Sequence, residues 1–198
     1  MKRIIIAITG PSGVGKTTLS NQLIKKDDFV TPVHTTTRMP RDDDEKGFYR
    51  YINHEEFKTE VDLNNFLFWS GDNFIIDEKY GNYYGILNRD YNVVSYYDRL
   101  IFFISYKDID TIFQLKYNGY NIEIVNLSYF DIEGSMEKRL SDERRNHSQE
   151  DIRKRIICAK KYEELFEQKI NDYNILKIYT DLYNIDETYE IVKKKIIK

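Results

Sequence analysis

Apolar positions along this chain fall into two rhythms. Short continuous runs such as Ile4-Ile5-Ile6-Ala7-Ile8 and Leu100-Ile101-Phe102-Phe103-Ile104 are the pattern of strands buried on both faces of a parallel sheet. Further strands are predicted at Phe48-Tyr49-Arg50-Tyr51-Ile52, Phe66-Leu67-Phe68-Trp69, Asn121 to Leu127 and Asn174 to Tyr179. Between them lie segments of helical character: 17–26, a helix starting at Asn53 with Glu56 completing a capping box, 108–117, and a closing helix over 186–197. A longer helix begins after Ser148, with Asp151 at its third position and Ile152, Ile156, Ala159 and Phe166 as its apolar stripe. Residues 70–82 are predicted as a loop or hairpin. Strands alternating with helices argue for an α/β domain with a parallel sheet. There is no internal repeat and no low-complexity linker.

The first strand runs into Gly10-Pro11-Ser12-Gly13-Val14-Gly15-Lys16-Thr17, which fits G-x-x-x-x-G-K-[ST]. Strand, loop and helix occur in the order the chemistry needs. Glycines let successive backbone N–H groups turn toward phosphate oxygens, and the helix N-terminus behind them adds partial positive charge. Gly10, Ser12, Gly13, Val14, Gly15, Lys16, Thr17 and Thr18 are therefore expected to hold a nucleoside triphosphate. Lys16 would reach the β- and γ-phosphates, and the Thr17 hydroxyl would ligate Mg2+. The loop specifies the ligand class and not the reaction.

Composition narrows the setting. The 198 residues suit one domain with small insertions. A net charge of −3 gives no global attraction to nucleic acid. Cys158 is the single cysteine, which excludes an internal disulfide and suits a reducing, cytoplasmic setting. No signal peptide or apolar run of membrane-spanning length is present, so no membrane partner is expected.

Two basic features carry more information. Arg38 and Arg41 are three apart with Pro40 between them, which rules out an ordinary helical face, and they offer two planar forks for phosphate or carboxylate. Residues 138–161 hold nine Lys or Arg against four Asp or Glu. Most of these would be solvated. Arg155 is different: it lies three after Ile152 and four before Ala159, on the inward side of its helix, where a charge needs an anionic partner.

In order along the chain, the triphosphate loop, Thr36-Thr37-Arg38-Met39-Pro40-Arg41, Gly47-Phe48-Tyr49, Gly81-Asn82-Tyr83-Tyr84-Gly85, Arg139-Leu140, Arg144, Arg155 and Thr180-Asp181 resemble the guanylate kinase family over nearly the whole chain. The resemblance implies a P-loop NTPase three-layer sandwich with a parallel sheet, plus small inserted acceptor-binding and lid regions. It implies one domain over 1–198: core 1–31, 89–138 and 157–198, acceptor-binding insertion 32–88, lid 139–156. It also implies transfer of the γ-phosphoryl group of ATP, with Mg2+, to a nucleoside monophosphate, GMP or dGMP by default. Arg38, Arg41, Tyr49 and Tyr84 would clamp the acceptor's phosphate. Lys16, Arg144 and Arg155 would neutralise the transferring group. The partners implied are small nucleotides, and the chain would act as a monomer or homodimer.

The departures from the family pattern cluster at the base-reading positions. Acidic side chains of the family fall here at Phe68, Phe103 and near Ser105, and two hydroxyls fall at His34 and Ile86. His34 and Ser105 are thus expected beside the acceptor, and Asp72, Asp77 or Glu78 are available as substitutes. A site that reads a base by hydrogen bonds discriminates strongly, because unpaired buried polar groups are penalised. Losing such groups should weaken or change base choice and need not stop phosphoryl transfer. Two other readings follow. One is a kinase of the same fold acting on another phosphorylated small molecule, such as ribose bisphosphate. The other is a non-catalytic binding module, against which the intact Lys16 and Thr17 count.

Overall fold

A computed structural model describes residues 3–41, 44–71, 81–115, 119–140, 148–170 and 173–197. The chain alternates strands and helices, as the apolar pattern predicts. The strands are β1 (Ile4–Thr9), β2 (His34–Thr36), β3 (Tyr49–Tyr51), β4 (Phe66–Gly71), β5 (Tyr83–Leu87), β6 (Arg99–Phe103), β7 (Asn121–Ser128) and β8 (Ile175–Tyr179). The helices are α1 (Lys16–Asp27), α2 (His54–Asp62), α3 (Asn88–Val94), α4 (Ile109–Gln114), α5 (Ile132–Leu140), α6 (Gln149–Ile170) and α7 (Ile185–Val192). A 3₁₀ turn, Tyr106–Asp108, precedes α4, and a π turn, Lys193–Ile197, ends the closing helix that the sequence pattern assigns to 186–197. One sheet has the order β6-β1-β7-β8, with β7 and β8 parallel, and bears out the α/β class. No helix among the described residues is long and apolar enough to cross a membrane.

Two compact units divide the chain. The first comprises Met1–Ile6 and Phe29–Ile122. It contains a small mixed sheet of order β3-β2-β5-β4. Here β2 pairs parallel with β3 and antiparallel with β5, and β5 pairs antiparallel with β4. The predicted loop or hairpin is a hairpin at its two ends, where Ser70 faces Tyr84 and Gly71 faces Tyr83; Asp72, Asp77 and Glu78 lie outside the described residues. The Asn53 capping box forms as the sequence predicts, so α2 starts with two of its orphan N–H groups satisfied. On α2, Phe57 stacks on Phe66 of β4 at 4.5 Å, and its ring also meets Trp69. Trp69 remains 44% exposed. Arg50 of β3 grips Asp90 of α3 through both carboxylate oxygens.

The second unit comprises Ala7–Asp28 and Glu123–Lys198. Its core holds Leu19 and Leu23 of α1 and Val125 and Leu127 of β7, with Phe166 of α6 and Tyr189 of α7, all fully buried or nearly so. The α6 stripe is as predicted: Ile152, Ile156, Ala159 and Phe166 are buried, while Arg153 and Lys154 are exposed. Ser148 caps this helix, accepting the Asp151 N–H at 3.1 Å while its hydroxyl donates to the Asp151 carboxylate. Cys158 is half-buried on α6.

Candidate active site

The glycine loop, residues 10–17, lies in the second unit. It leaves β1 at Gly10, whose φ of +136° is closed to most L side chains. A Cβ there would sit 2.1 Å from the Leu127 carbonyl oxygen, so only glycine lets the loop pass β7. Gly15 occupies the N-cap of α1 at φ +103°, which turns the chain into the helix with no side chain over the amide groups. Val14 is fully buried beneath the loop, and Thr18 is exposed on the first turn of α1. Lys16 curls over the loop, donating to the carbonyls of Gly10 at 2.7 Å and Pro11 at 2.8 Å.

Two arginines of this unit converge on the loop. Arg155, half-buried on α6, donates to the Ser12 hydroxyl at 3.1 Å, the inward placement that helical spacing predicts. Arg139 donates to the Gly13 carbonyl at 3.1 Å and the Thr180 carbonyl at 3.2 Å, with its guanidinium 5.3 Å from the Tyr129 ring centre. Lys16, Arg139 and Arg155 thus bring three cations to one glycine loop. Asp181 accepts the N–H groups of Phe130 and Asp131 and the Ser135 hydroxyl. Burial works against its charge, but these hydrogen bonds outweigh it and hold the carboxyl below the usual range. Its oxygens are committed to the turn that starts α5. Arg144, the remaining predicted lid arginine, lies outside the described residues.

The donor chemistry of the loop fits a triphosphate with its cation. The glycine passage leaves room only for backbone, and Thr17 stands in the first turn of α1. Among the described residues no group of three or more His, Cys, Asp or Glu is arranged to hold a metal ion. A Mg2+ at this loop would rest on Thr17, phosphate oxygens and water, an arrangement this ion favours.

The arginine pair lies in the first unit. Arg38 is only 7% exposed. Its Nη1 and Nη2 donate to the two oxygens of Asp44 at 2.7 and 2.5 Å, and Nη1 also donates to the Met39 carbonyl at 2.9 Å. Tyr49 and Tyr51, two apart on β3 and so on one face, approach the guanidinium with ring centres at 4.6 and 5.5 Å. The Tyr51 hydroxyl donates to Asp44 at 2.5 Å, and the Arg41 N–H donates to the same oxygen at 2.7 Å. Burial disfavours the Asp44 charge, yet the hydrogen bonds from Arg38, Tyr51 and Arg41 hold its carboxyl far below the usual range. For Arg38, burial is likewise outweighed by the Asp44 carboxylate, and its pKa is raised. Burial and the hydrogen bond to Asp44 push the Tyr51 hydroxyl up to about 12. The Arg41 side chain is exposed and Tyr84 is half-buried on β5. Asp44 and Tyr51 are absent from the sequence-derived site; the period-2 pattern of β3 was the one available signal for Tyr51.

Beside this cluster the wall is aromatic. His34 contacts Phe103 at 4.9 Å and Tyr49 at 6.3 Å, and Phe103 stacks on Phe48 at 6.0 Å. His34 Nε2 accepts the Phe103 N–H at 3.0 Å, so the ring proton sits on Nδ1. Among the described residues Nδ1 has no partner at hydrogen-bond geometry. Burial lowers the His34 pKa to about 4, and the nearby Pro32 carbonyl offsets this only in part. Phe68 faces Ile86 across the β4–β5 ladder, and both are buried. Ser105 caps the 3₁₀ turn: its hydroxyl accepts the Lys107 N–H, and its own N–H donates to Asp108 at 2.8 Å. A cavity of about 610 Å³ alongside is lined by Phe66, Phe68, Trp69, Ser70, Lys107 and Asp108, none of them in the arginine cluster.

Comparison with known proteins places these features in a lineage. The guanylate kinase family model matches residues 1–194. The guanylate kinase of Clostridium acetobutylicum is 39% identical over 85 residues, which cover 42% of this chain and 37% of that protein. That of Bartonella henselae is 35% identical over 105 residues, covering 52% and 44%. These matches therefore span less than half the length of either relative. Among solved structures, guanylate kinase from Anaplasma phagocytophilum superposes with a TM-score of 0.63 at 17% identity, over 98% of this chain and 85% of that one. Deoxyadenosine kinase from M. mycoides gives a TM-score of 0.50 at 15% identity, over 98% and 100%. The structural likenesses speak for the fold; with the family match running from residue 1 to 194, the chain belongs to the guanylate kinase family.

Proposed function

We propose that this protein transfers the γ-phosphoryl group of ATP to the phosphate of a nucleoside monophosphate, with GMP or dGMP as the default acceptor. The observation that carries this reading is the presence of two separate phosphate-gripping arrangements in one chain. One is the glycine loop with Lys16, Arg139 and Arg155. The other is the buried Arg38 fork against the rings of Tyr49 and Tyr51, with Arg41 adjoining. A simple hydrolase needs the first alone, whereas a kinase acting on a phosphorylated acceptor needs both.

Phosphoryl transfer asks little covalent chemistry of the protein and much positioning and charge neutralisation. Lys16 exchanges the carbonyls of Gly10 and Pro11 for phosphate oxygens, and Arg155 adds positive charge from α6. Mg2+, carried on Thr17 and the triphosphate, supplies further charge neutralisation when bound. Arg38 and Arg41 hold the acceptor's phosphate, with the Tyr49 and Tyr84 hydroxyls as further donors.

One observation favours a second reading, in which the acceptor is a different nucleotide or another phosphorylated small molecule. The wall next to Arg38 consists of His34, Phe48, Phe103 and Tyr49, and the one polar ring nitrogen facing Phe103 is taken by a backbone N–H. Such a wall offers shape and stacking and few acceptors for the N–H groups of guanine. An ADP-release assay with ATP and Mg2+ against GMP, dGMP, AMP, CMP, UMP, dTMP and ribose bisphosphate tests both. Turnover with GMP and dGMP alone supports the first reading, and turnover with other acceptors supports the second. Failure of every acceptor while ATP still binds would overturn both and favour a binding module.

A further inference from the structure

We infer that Asp44, braced by Tyr51, is a positioning residue for the acceptor phosphate: it locks Arg38 in the one orientation whose remaining donor edge receives the phosphate. The inference rests on the acceptor reading given above and adds to it a residue outside the expected clamp.

The donor inventory of Arg38 decides the matter. A guanidinium carries five N–H groups in a rigid plane. Nη1 spends both of its hydrogens, one on Asp44 and one on the Met39 carbonyl, and Nη2 spends one on the other Asp44 oxygen. What remains is Nε–H and the second Nη2–H, which lie side by side along one edge of the plane. Among the described residues neither has a partner. Tyr49 and Tyr51 approach the guanidinium group at 4.6 and 5.5 Å, and that edge holds the N–H groups left for a second anion. Two parallel N–H groups match two oxygens of a phosphate monoester.

Asp44 is itself held tightly. Besides the bidentate grip of Arg38 it accepts the Tyr51 hydroxyl and the Arg41 N–H. The carboxylate therefore ties three parts of the cluster together: the buried guanidinium, the backbone of the second arginine and strand β3. An arginine free to rotate would lose that conformational freedom on binding phosphate; here it has been lost on folding. The carboxylate also offsets the burial of the guanidinium, which by itself would disfavour the charge.

The test measures GMP titration by calorimetry and steady-state kinetics for the wild type, Asp44→Asn, Asp44→Glu and Tyr51→Phe. Asp44→Asn keeps the side-chain volume and removes the charge. It is expected to raise the GMP Kd and KM at least tenfold, with kcat and the ATP KM within about twofold of wild type. Tyr51→Phe should shift KM in the same direction by a smaller factor, and Asp44→Glu should recover part of the loss. Tyr51→Phe keeps the test open should Asp44→Asn fail to fold. An unchanged GMP KM in both folded variants would overturn the inference. So would a lowered one, since the carboxylate would then be competing with the phosphate. Wild-type protein that binds ATP but neither binds nor phosphorylates GMP would instead overturn the GMP reading on which this stands.

Discussion

Lys16 and His34 illustrate opposite uses of a nitrogen base. Lys16 donates at the loop to two backbone carbonyls, which phosphate oxygens would replace on the proposed reading. Lys16→Ala should lower kcat by roughly 10²–10³, the range for loss of one pre-placed electrostatic donor, with the thermal midpoint close to wild type; undiminished transfer would place the donor elsewhere. His34 is neutral because it is buried and because Nε2 accepts a backbone N–H. Its folded pKa of about 4 lies below the ordinary 6.5. The unfolded chain therefore binds the extra proton first, and stability present above pH 6.5 is lost as pH falls toward 4. The full difference is on the order of 3 kcal/mol. Denaturant titrations of wild type and His34→Gln at pH 7 and pH 4.5 should show a steeper acid loss in the wild type, and parallel losses would sink the assignment.

The elements that were legible in the sequence are those with a local signature. The glycine loop, the Asn53 box and the Ser148 cap each declare themselves within a few residues, and the α6 stripe is read from periodicity alone. Its spacing also turned Arg155 toward the loop. Strand β2 was not legible, because His34-Thr35-Thr36 is too short for a pattern and is held by pairing with both β3 and β5. Helix α3 has no side-chain cap and begins directly after β5, so nothing marks its start. Helix α5 has a local cap in Asp131, whose side chain accepts the Gly134 N–H at 3.1 Å, but the turn before it is held by Asp181, some fifty residues downstream. Asp44 is hidden for a related reason: within Asp42-Asp43-Asp44-Glu45 nothing local distinguishes it from its neighbours. Two tests belong at this scale. Ser148→Ala should cost about 1 kcal/mol through the start of α6, read from denaturant unfolding. Gly10→Ala sets a Cβ against the Leu127 carbonyl in a left-handed conformation. It should abolish ATP binding and lower the thermal midpoint, and a variant that still binds ATP would mean the loop has another route past β7.

At the scale of the molecule, the proposed reading gives each compact unit its own grip on phosphate, so ligand effects should separate. A ligand at a hundred times its Kd stabilises its folded partner by about 2.7 kcal/mol. ATP with Mg2+ should raise the melting temperature of wild type and Arg38→Ala but not of Lys16→Ala; GMP should raise that of wild type and Lys16→Ala but not of Arg38→Ala. Loss of both shifts in either variant would mean that the grips are not separate. Trp69 makes this division visible without a label. It is the chain's single tryptophan, and it stands in the first unit, half-exposed beside Phe57 and Tyr83. Emission excited at the red edge of the indole band therefore comes from that unit alone, whereas far-ultraviolet dichroism sums over the helices of both. During denaturation, two superimposable curves would describe one cooperative transition. An indole curve running ahead of the dichroism would instead describe a chain that opens the unit holding Arg38 while the glycine loop still stands.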